Sequence, residues 1–201
     1  IGLIRVGNSG ESIVDFFYYR LDGSMDQFEP CNFGIPYGND GTNFLLSTAT
    51  DSGTEAYSLW DPDTKEITFL TEKIGNGYYG AEEAYYILDG VIYHYVYSTN
   101  QKEALFDTEL DGEKALYCYP DCFVIADTIP WDEHMEGKVL DSINIYLYNW
   151  NFESLGQIEL DYSRPEHFYK VICGETPERI ILTDNSDLYP RYYIEKADFG
   201  T

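Results

Sequence analysis

The stretch INIYLYNWNFESLGQIELDY, residues 143–162, alternates almost from end to end, yet it keeps large apolar side chains on both parities. Successive side chains of an extended chain face opposite ways. Ile143, Ile145 and Leu147 therefore point to one face, and Tyr146, Tyr148 and Trp150 to the other. An antiparallel sheet with one wet face would alternate apolar with polar residues. Here aliphatic groups oppose tyrosines, so both faces must be covered.

The pattern recurs along the chain. An alternating segment that closes on Leu, Ile or Ala near an Asp, followed by a turn, is found as YYRLDG (18–23), YSLWDP (57–62), DTELDG (107–112), QIELDY (157–162) and IEKADFG (194–200). The aspartates are Asp22, Asp61, Asp111, Asp161 and Asp198, spaced 39, 50, 50 and 37 residues apart, which brackets the length of a propeller blade. Asp followed by Gly or Pro adopts turn conformations at little cost, so the phrase predicts a strand that stops and reverses. Downstream strands are expected at KEITFLTE (65–72), EKALYCY (113–119) and, more weakly, DQFEPCNF (26–33). Upstream strands are expected at NFLLSTA (43–49), VIYHYVY (91–97), INIYLYN (143–149) and ERIILTD (178–184). EAYYILD (83–89) and CFVIAD (122–127) are assigned as innermost strands. GAEEAYYIL (80–88) and KVLDSINIYL (138–147) also fit a helix, because short apolar runs do not separate the two states.

Small sheets stacked radially cover one another on both faces and leave only short edges. The expected fold is thus all-β, a β-propeller of about five blades of antiparallel four-stranded sheets, forming a single domain over residues 1–201. The alternatives are a β-sandwich, which would need polar outward faces, and a fragment of a larger propeller. The hairpin phrase resembles that of bacterial extracytoplasmic β-propeller repeat proteins. Repeat number and length are similar to those of small five-bladed lectins of the tachylectin type. The resemblance implies a ring in which a terminal strand completes a blade begun at the other end, with GLIRV (2–6) beside RYYIEKAD (191–198).

Composition agrees with a folded β protein. Of 201 residues 44% are apolar and 17% aromatic, 20 of them Tyr, and such residues favour pleated, half-buried surfaces. Twelve basic against 36 acidic residues give a net charge of −24, which repels nucleic acid and phosphate surfaces. The same charge keeps a protein soluble and guards its sheet edges. No run of 18 apolar residues is present, so no membrane-spanning helix is expected. The chain opens on Ile1 without a signal region, and the expectation is an exported or surface-tethered protein whose leader or linker has been removed.

The signatures of several common catalytic sites are missing: GxSxG, GxxxxGK[ST] and HExxH do not occur. Of the four cysteines, Cys118 and Cys122 flank a Pro-Asp turn in CYPDC, where a local disulfide competes with plain buried thiols. His94 falls within VIYHYVY and is expected to pack in a strand, whereas His167 follows a Pro-bearing turn and is expected at the surface. No cofactor is expected. The nearest approach to a calcium site is made by Asp61, Asp63 and Glu66 or by Asp184, Asn185 and Asp187, and neither set fits the twelve-residue calcium loop.

The segment DTIPWDEHMEGKVLD (127–141) is the longest interruption between strands and gathers Trp131, Asp132, Glu133, His134 and Glu136. Binding groups concentrate on long loops of rigid scaffolds. A Trp platform beside carboxylates suits a sugar ring, whose C–H face rests on the aromatic while its hydroxyls donate to acidic oxygens. Trp131, Asp132 and His134, with Trp150 from the turn NWNFES, are therefore the candidate ligand-binding residues; the competing reading is an insertion that covers an apolar edge. The expected function is a non-catalytic binding or scaffolding module of an exported bacterial protein that recognises a glycan or protein through loops on one propeller face. The alternative is a glycoside hydrolase with axial carboxylates held about 5 to 9 Å apart.

Overall fold

The computed structural model describes residues 2–7, 14–19, 22–28, 35–50, 53–129, 133, 136–137, 142–161, 172–183 and 192–199. Apart from short 3-10 turns, the described elements are strands, and within each sheet every strand hydrogen-bonds the next in sequence. Strands β1 (Gly2–Gly7), β2 (Val14–Tyr19) and β3 (Met25–Phe28) form a three-stranded meander. Four-stranded meanders follow: β4 (Ile35–Asn39) to β7 (Ile67–Glu72) through β5 (Phe44–Ala49) and β6 (Glu55–Trp60); then β8 (Asn76–Tyr79) to β11 (Gln101–Asp107) through β9 (Glu83–Leu88) and β10 (Val91–Val96). The next comprises β12 (Lys114–Cys118), β13 (Cys122–Asp127), β14 (Ser142–Asn149) and β15 (Ser154–Asp161), all antiparallel. The three strands β16 (Ile172–Glu175), β17 (Arg179–Thr183) and β18 (Tyr192–Glu195) complete the order. The all-β expectation holds, and both segments that also fitted a helix contribute strands, β9 and β14.

The chain divides into two compact units. One holds Ile1–Lys73, Tyr79–Glu83 and Tyr97–Thr99; the other holds Ile74–Tyr78, Ala84–Val96 and Asn100–Thr201. In the first unit β5 and β6 bury Phe44, Leu45, Leu46, Ala56, Tyr57 and Trp60. Tyr57 stacks on Tyr79 at 4.0 Å, and the Tyr97 hydroxyl donates to the carbonyls of Gly80 (3.2 Å) and Glu83 (3.1 Å). Glu55 accepts from Lys73 Nζ at 2.8 Å and from Ser47 Oγ at 3.0 Å.

The second unit answers the question set by residues 143–162. One face of the sheet β12–β15 presents Cys122, Val124, Ala126, Ile143, Ile145 and Leu147, which pack with Ile180, Ile194 and Phe199 of the sheet β16–β18 and the turn after it. The other face presents Leu116, Phe123, Ile125, Tyr146, Tyr148 and Trp150, which pack with Tyr85, Ile87, Ile92 and Phe106 of the sheet β8–β11. Three sheets thus lie face to face, the middle one covered on both sides, and Val124, Ile125, Ile143 and Ile145 lose all contact with water. Each such side chain contributes about 1.5–3 kcal/mol by burial.

The repeated Asp phrase marks strand ends, though not equivalent ones. Asp22 and Asp61 lie in hairpins, β2–β3 and β6–β7, as expected. Asp111 instead lies between β11 and β12, which belong to different sheets, so EKALYCY starts a new meander rather than closing a hairpin. The repeat is regular when strands are compared: β5, β9 and β13 begin at Phe44, Glu83 and Cys122, so 83 − 44 = 39 and 122 − 83 = 39. The segments EAYYILD and CFVIAD, expected innermost, are β9 and β13, each the second strand of its sheet with partners on both sides. β13 is buried from Cys122 to Ala126, and β9 buries Ala84, Tyr86 and Ile87 but leaves Leu88 exposed at its end. β1 pairs with β2 and β18 with β17; a ladder between β1 and β18 is not among those described.

Turn carboxylates make the fold acid-sensitive. Asp61 Oδ1 accepts the backbone N–H groups of Asp63 (2.7 Å) and Thr64 (3.1 Å), and these bonds hold its pKa below the ordinary value. Burial pushes the Asp40 carboxyl up, but bonds from Asn43 and Thr42 outweigh it and leave the pKa lowered. A group depressed in the folded state stabilises above its unfolded pKa, about 3.9, and loses that contribution as pH falls through the folded value. Urea midpoints of the parent protein should therefore drop below about pH 4. The double variant Asp40→Asn, Asp61→Asn should start lower at neutral pH and show a shallower acid limb.

Candidate functional site

A cleft of about 180 Å³ opens between the edge strands β8 and β12, and all of its lining residues belong to the second unit. β8 contributes Asn76, Gly77 and Tyr78, and β12 with the following turn contributes the run from Ala115 to Tyr119. Asn76 and Tyr78 bring a carboxamide and a phenol to it, whereas the rings of Tyr117 and Tyr119 pack against the core shared with the sheet β16–β18 and the Tyr119 hydroxyl is buried. Tyr78 is 47% exposed and offers an aromatic surface at the edge of the cleft. The Cys118 thiol faces inward, and burial pushes its pKa up to about 12, so it stays neutral at physiological pH.

Local sequence explains the position of each wall. A Cβ on Gly77 would overlap the Tyr85 carbonyl oxygen and lie 2.6 Å from Tyr86 Cα, so only glycine lets β8 lie this close to β9. Gly77→Ala is expected to displace β8 and cost about 1–3 kcal/mol, a typical figure for overpacking. Urea unfolding would register the loss. The β12 wall is held by Trp150, whose Nε1 donates to the Tyr119 carbonyl at 2.8 Å while its ring sits against Tyr85 (5.3 Å) and Phe123 (5.2 Å). Trp150 therefore stands behind the cleft and braces it. The turn that carries Trp150 is built by Asn149, whose Oδ1 accepts from the N–H groups of Asn151 and Glu153 at 2.9 and 3.0 Å.

Trp131, Asp132 and His134 lie outside the described residues. Their segment leaves the sheet after β13 and returns at Ser142, whereas Trp150 follows Asn149 at the other end of β14. The eight residues of β14 span roughly 26 Å at 3.3 Å each, so the segment is rooted at the opposite end of the sheet from Trp150. That root is firm: Asp127 Oδ1 pairs with Lys114 Nζ at 3.1 Å, its Oδ2 accepts from the backbone and side-chain N–H groups of Asn144 at 2.8 Å each, and Lys114 Nζ also donates to the Asp111 carbonyl.

The remaining candidates are placed as follows. Cys118 pairs with Phe123 across the β12–β13 ladder and shares its face, whereas Cys122 belongs to the opposite face. The local disulfide across the Pro-Asp turn is therefore not formed, because the two side chains point to different cores. His94 packs in its strand, stacked on Tyr85 at 4.6 Å. Asp184, Asn185, Asp187 and His167 lie outside the described residues, and the Asp61 carboxylate is engaged by its own turn. Among the described residues no three His, Cys, Asp or Glu side chains converge as a metal site would require, and no helix is long and apolar enough to cross a membrane.

No protein-family model matches the sequence, and no curated protein matches it. Solved structures similar to it include a eukaryotic initiation factor at 11% identity and TM-score 0.46, covering 91% of this chain and 48% of that one. An oligogalacturonate lyase in complex with manganese shows 13% identity and TM-score 0.45, with 98% and 57% covered. The oligogalacturonate lyase of Vibrio parahaemolyticus shows 13% identity and TM-score 0.41, with 94% and 54% covered. The chain spans about half the length of these proteins. At such TM-scores the likeness assigns no activity to it.

Proposed function

We propose that the chain is a non-catalytic glycan-binding module of an exported protein, built on a propeller-type arrangement in which about five meander sheets succeed one another around an axis. The strand period of 39 residues across three consecutive sheets and the face-to-face stacking within the second unit support that arrangement. The observation that carries the function is the composition of the cleft: the exposed Tyr78 ring and the Asn76 carboxamide on β8, facing the first strand of the next sheet. Tyrosine faces accept the C–H surface of a sugar, and Asn76 supplies a donor and an acceptor for its hydroxyls. Trp131, Asp132 and His134 are kept as further ligand-binding residues on the ground of their sequence alone.

The cleft contains no Asp or Glu among its lining residues, whereas glycoside hydrolysis needs a pair of carboxylates flanking the scissile bond. Binding without turnover is the expected behaviour. A glycan array probed with the intact chain should return discrete ligands, and Tyr78→Ala should weaken the best of them by about tenfold, the loss of one aromatic contact of about 1.4 kcal/mol. Unchanged affinity in that variant would remove the cleft from consideration. Hydrolysis of chromogenic glycosides or arabinan, abolished by an Asp→Asn change, would establish the hydrolase reading instead.

A further inference from the structure

We propose that the cleft between β8 and β12 accepts a single neutral pyranose ring, the terminal residue of a glycan, and turns away uronic acids. The inference rests on the glycan-binding reading and narrows it to a ligand class. Its first support is size. The cleft measures about 180 Å³, against about 300–1,000 Å³ for sites that enclose a drug-sized ligand. That space suits one ring, with any further residues of the glycan lying in solvent. Gly77 fixes this dimension, because β8 is drawn onto β9 where any side chain would push it outward.

The second support is charge. Asn76 and Tyr78 supply an amide and a hydroxyl group, and neither Lys nor Arg lines the cleft. A carboxylate on the sugar would find no cation there and would enter the field of a chain with net charge −24. A neutral hexose needs only hydroxyl-to-amide and hydroxyl-to-phenol hydrogen bonds, which this lining provides. The exposed ring of Tyr78 lies where the sugar's C–H face would rest.

The test is titration of the intact chain, followed by NMR and calorimetry, with the methyl glycosides of glucose, galactose and mannose, with glucuronate and galacturonate, and with neutral oligosaccharides. At least one neutral methyl glycoside should saturate the site, bind ten or more times tighter than the matching uronate, and compete with an oligosaccharide that ends in the same sugar. Tyr78→Ala and Asn76→Ala should each weaken it about tenfold with unfolding midpoints retained. A uronate that binds as well as its neutral counterpart overturns the charge argument. Oligosaccharides that bind while no monosaccharide competes overturn the single-ring assignment and leave the glycan reading standing. Failure of every sugar, whatever its length, overturns both.

Discussion

Replacing Asp127 with alanine is expected to cost about 3–5 kcal/mol, the penalty for leaving a buried charge without its partner. Lys114 is only 8% exposed, and its ammonium is held by Asp127 Oδ1 at 3.1 Å. The same substitution removes both hydrogen bonds to Asn144, so the start of β14 loses its tie to β13 as well. Against a total stability of about 5–15 kcal/mol for a domain of ordinary size, the loss is large enough to shift the urea midpoint visibly. The double variant Lys114→Met, Asp127→Leu separates causes. If the unpaired ammonium is responsible, removing both charges should restore much of the loss; if the Asn144 bonds dominate, it should not. Retention of the parental midpoint by Asp127→Ala would mean that Lys114 reaches water without cost.

The second large effect is expected at Phe123. Its ring is fully buried, lies parallel to Tyr148 at 5.2 Å and meets Trp150 and Phe152 at 5.2 and 6.0 Å. Truncation to alanine should cost about 3–5 kcal/mol through lost burial and the cavity left behind. It should also reach the cleft, because Trp150, which donates to the Tyr119 carbonyl, has its ring seated against Phe123. Two readouts follow: a lower unfolding midpoint, and weaker glycan binding under conditions where the variant remains folded. Phe123→Leu, which refills part of the volume, should recover most of the stability. Parental stability in Phe123→Ala would show that the neighbouring rings close the gap.

Much of the fold could be read from single segments. Alternation in residues 143–149 assigned Ile143, Ile145 and Leu147 to one face and Tyr146 and Tyr148 to the other, and the two cores divide in that way. Strand content was legible because β-branched and aromatic residues carry a period of two wherever a sheet has two apolar faces. The Asp phrase misled where it was read as one repeated joint. Asp followed by Gly serves any reversal, whether inside a hairpin at Asp22 or between sheets at Asp111. The same phrase closes β9 as YYILDG (85–90), where Asp89 and Gly90 both have positive φ, as a tight two-residue hairpin turn requires. Turn chemistry is local, so it reports that a chain reverses and not which strand comes next.

The candidate site was less legible. Trp150 attracted notice as a large aromatic in a turn, and the structure gives its indole N–H to Tyr119 and its ring to the core. Asn76 and Tyr78 carried no signal, because NGYY is four residues long and has no period. Gly77 was the available signal: a glycine inside a strand marks close approach of another backbone.

By itself, then, the sequence determined the strand identity of most segments, the two-sided burial of the central ones and a charge that repels anions. These depend on side-chain chemistry and a period of two, which are properties of neighbours along the chain. Only the tertiary structure decided which strands share a sheet, that Cys118 and Cys122 face different cores, and that β8 and β12 frame a cleft. Those outcomes depend on how edges and faces some 40 residues apart meet, and no local pattern encodes that pairing.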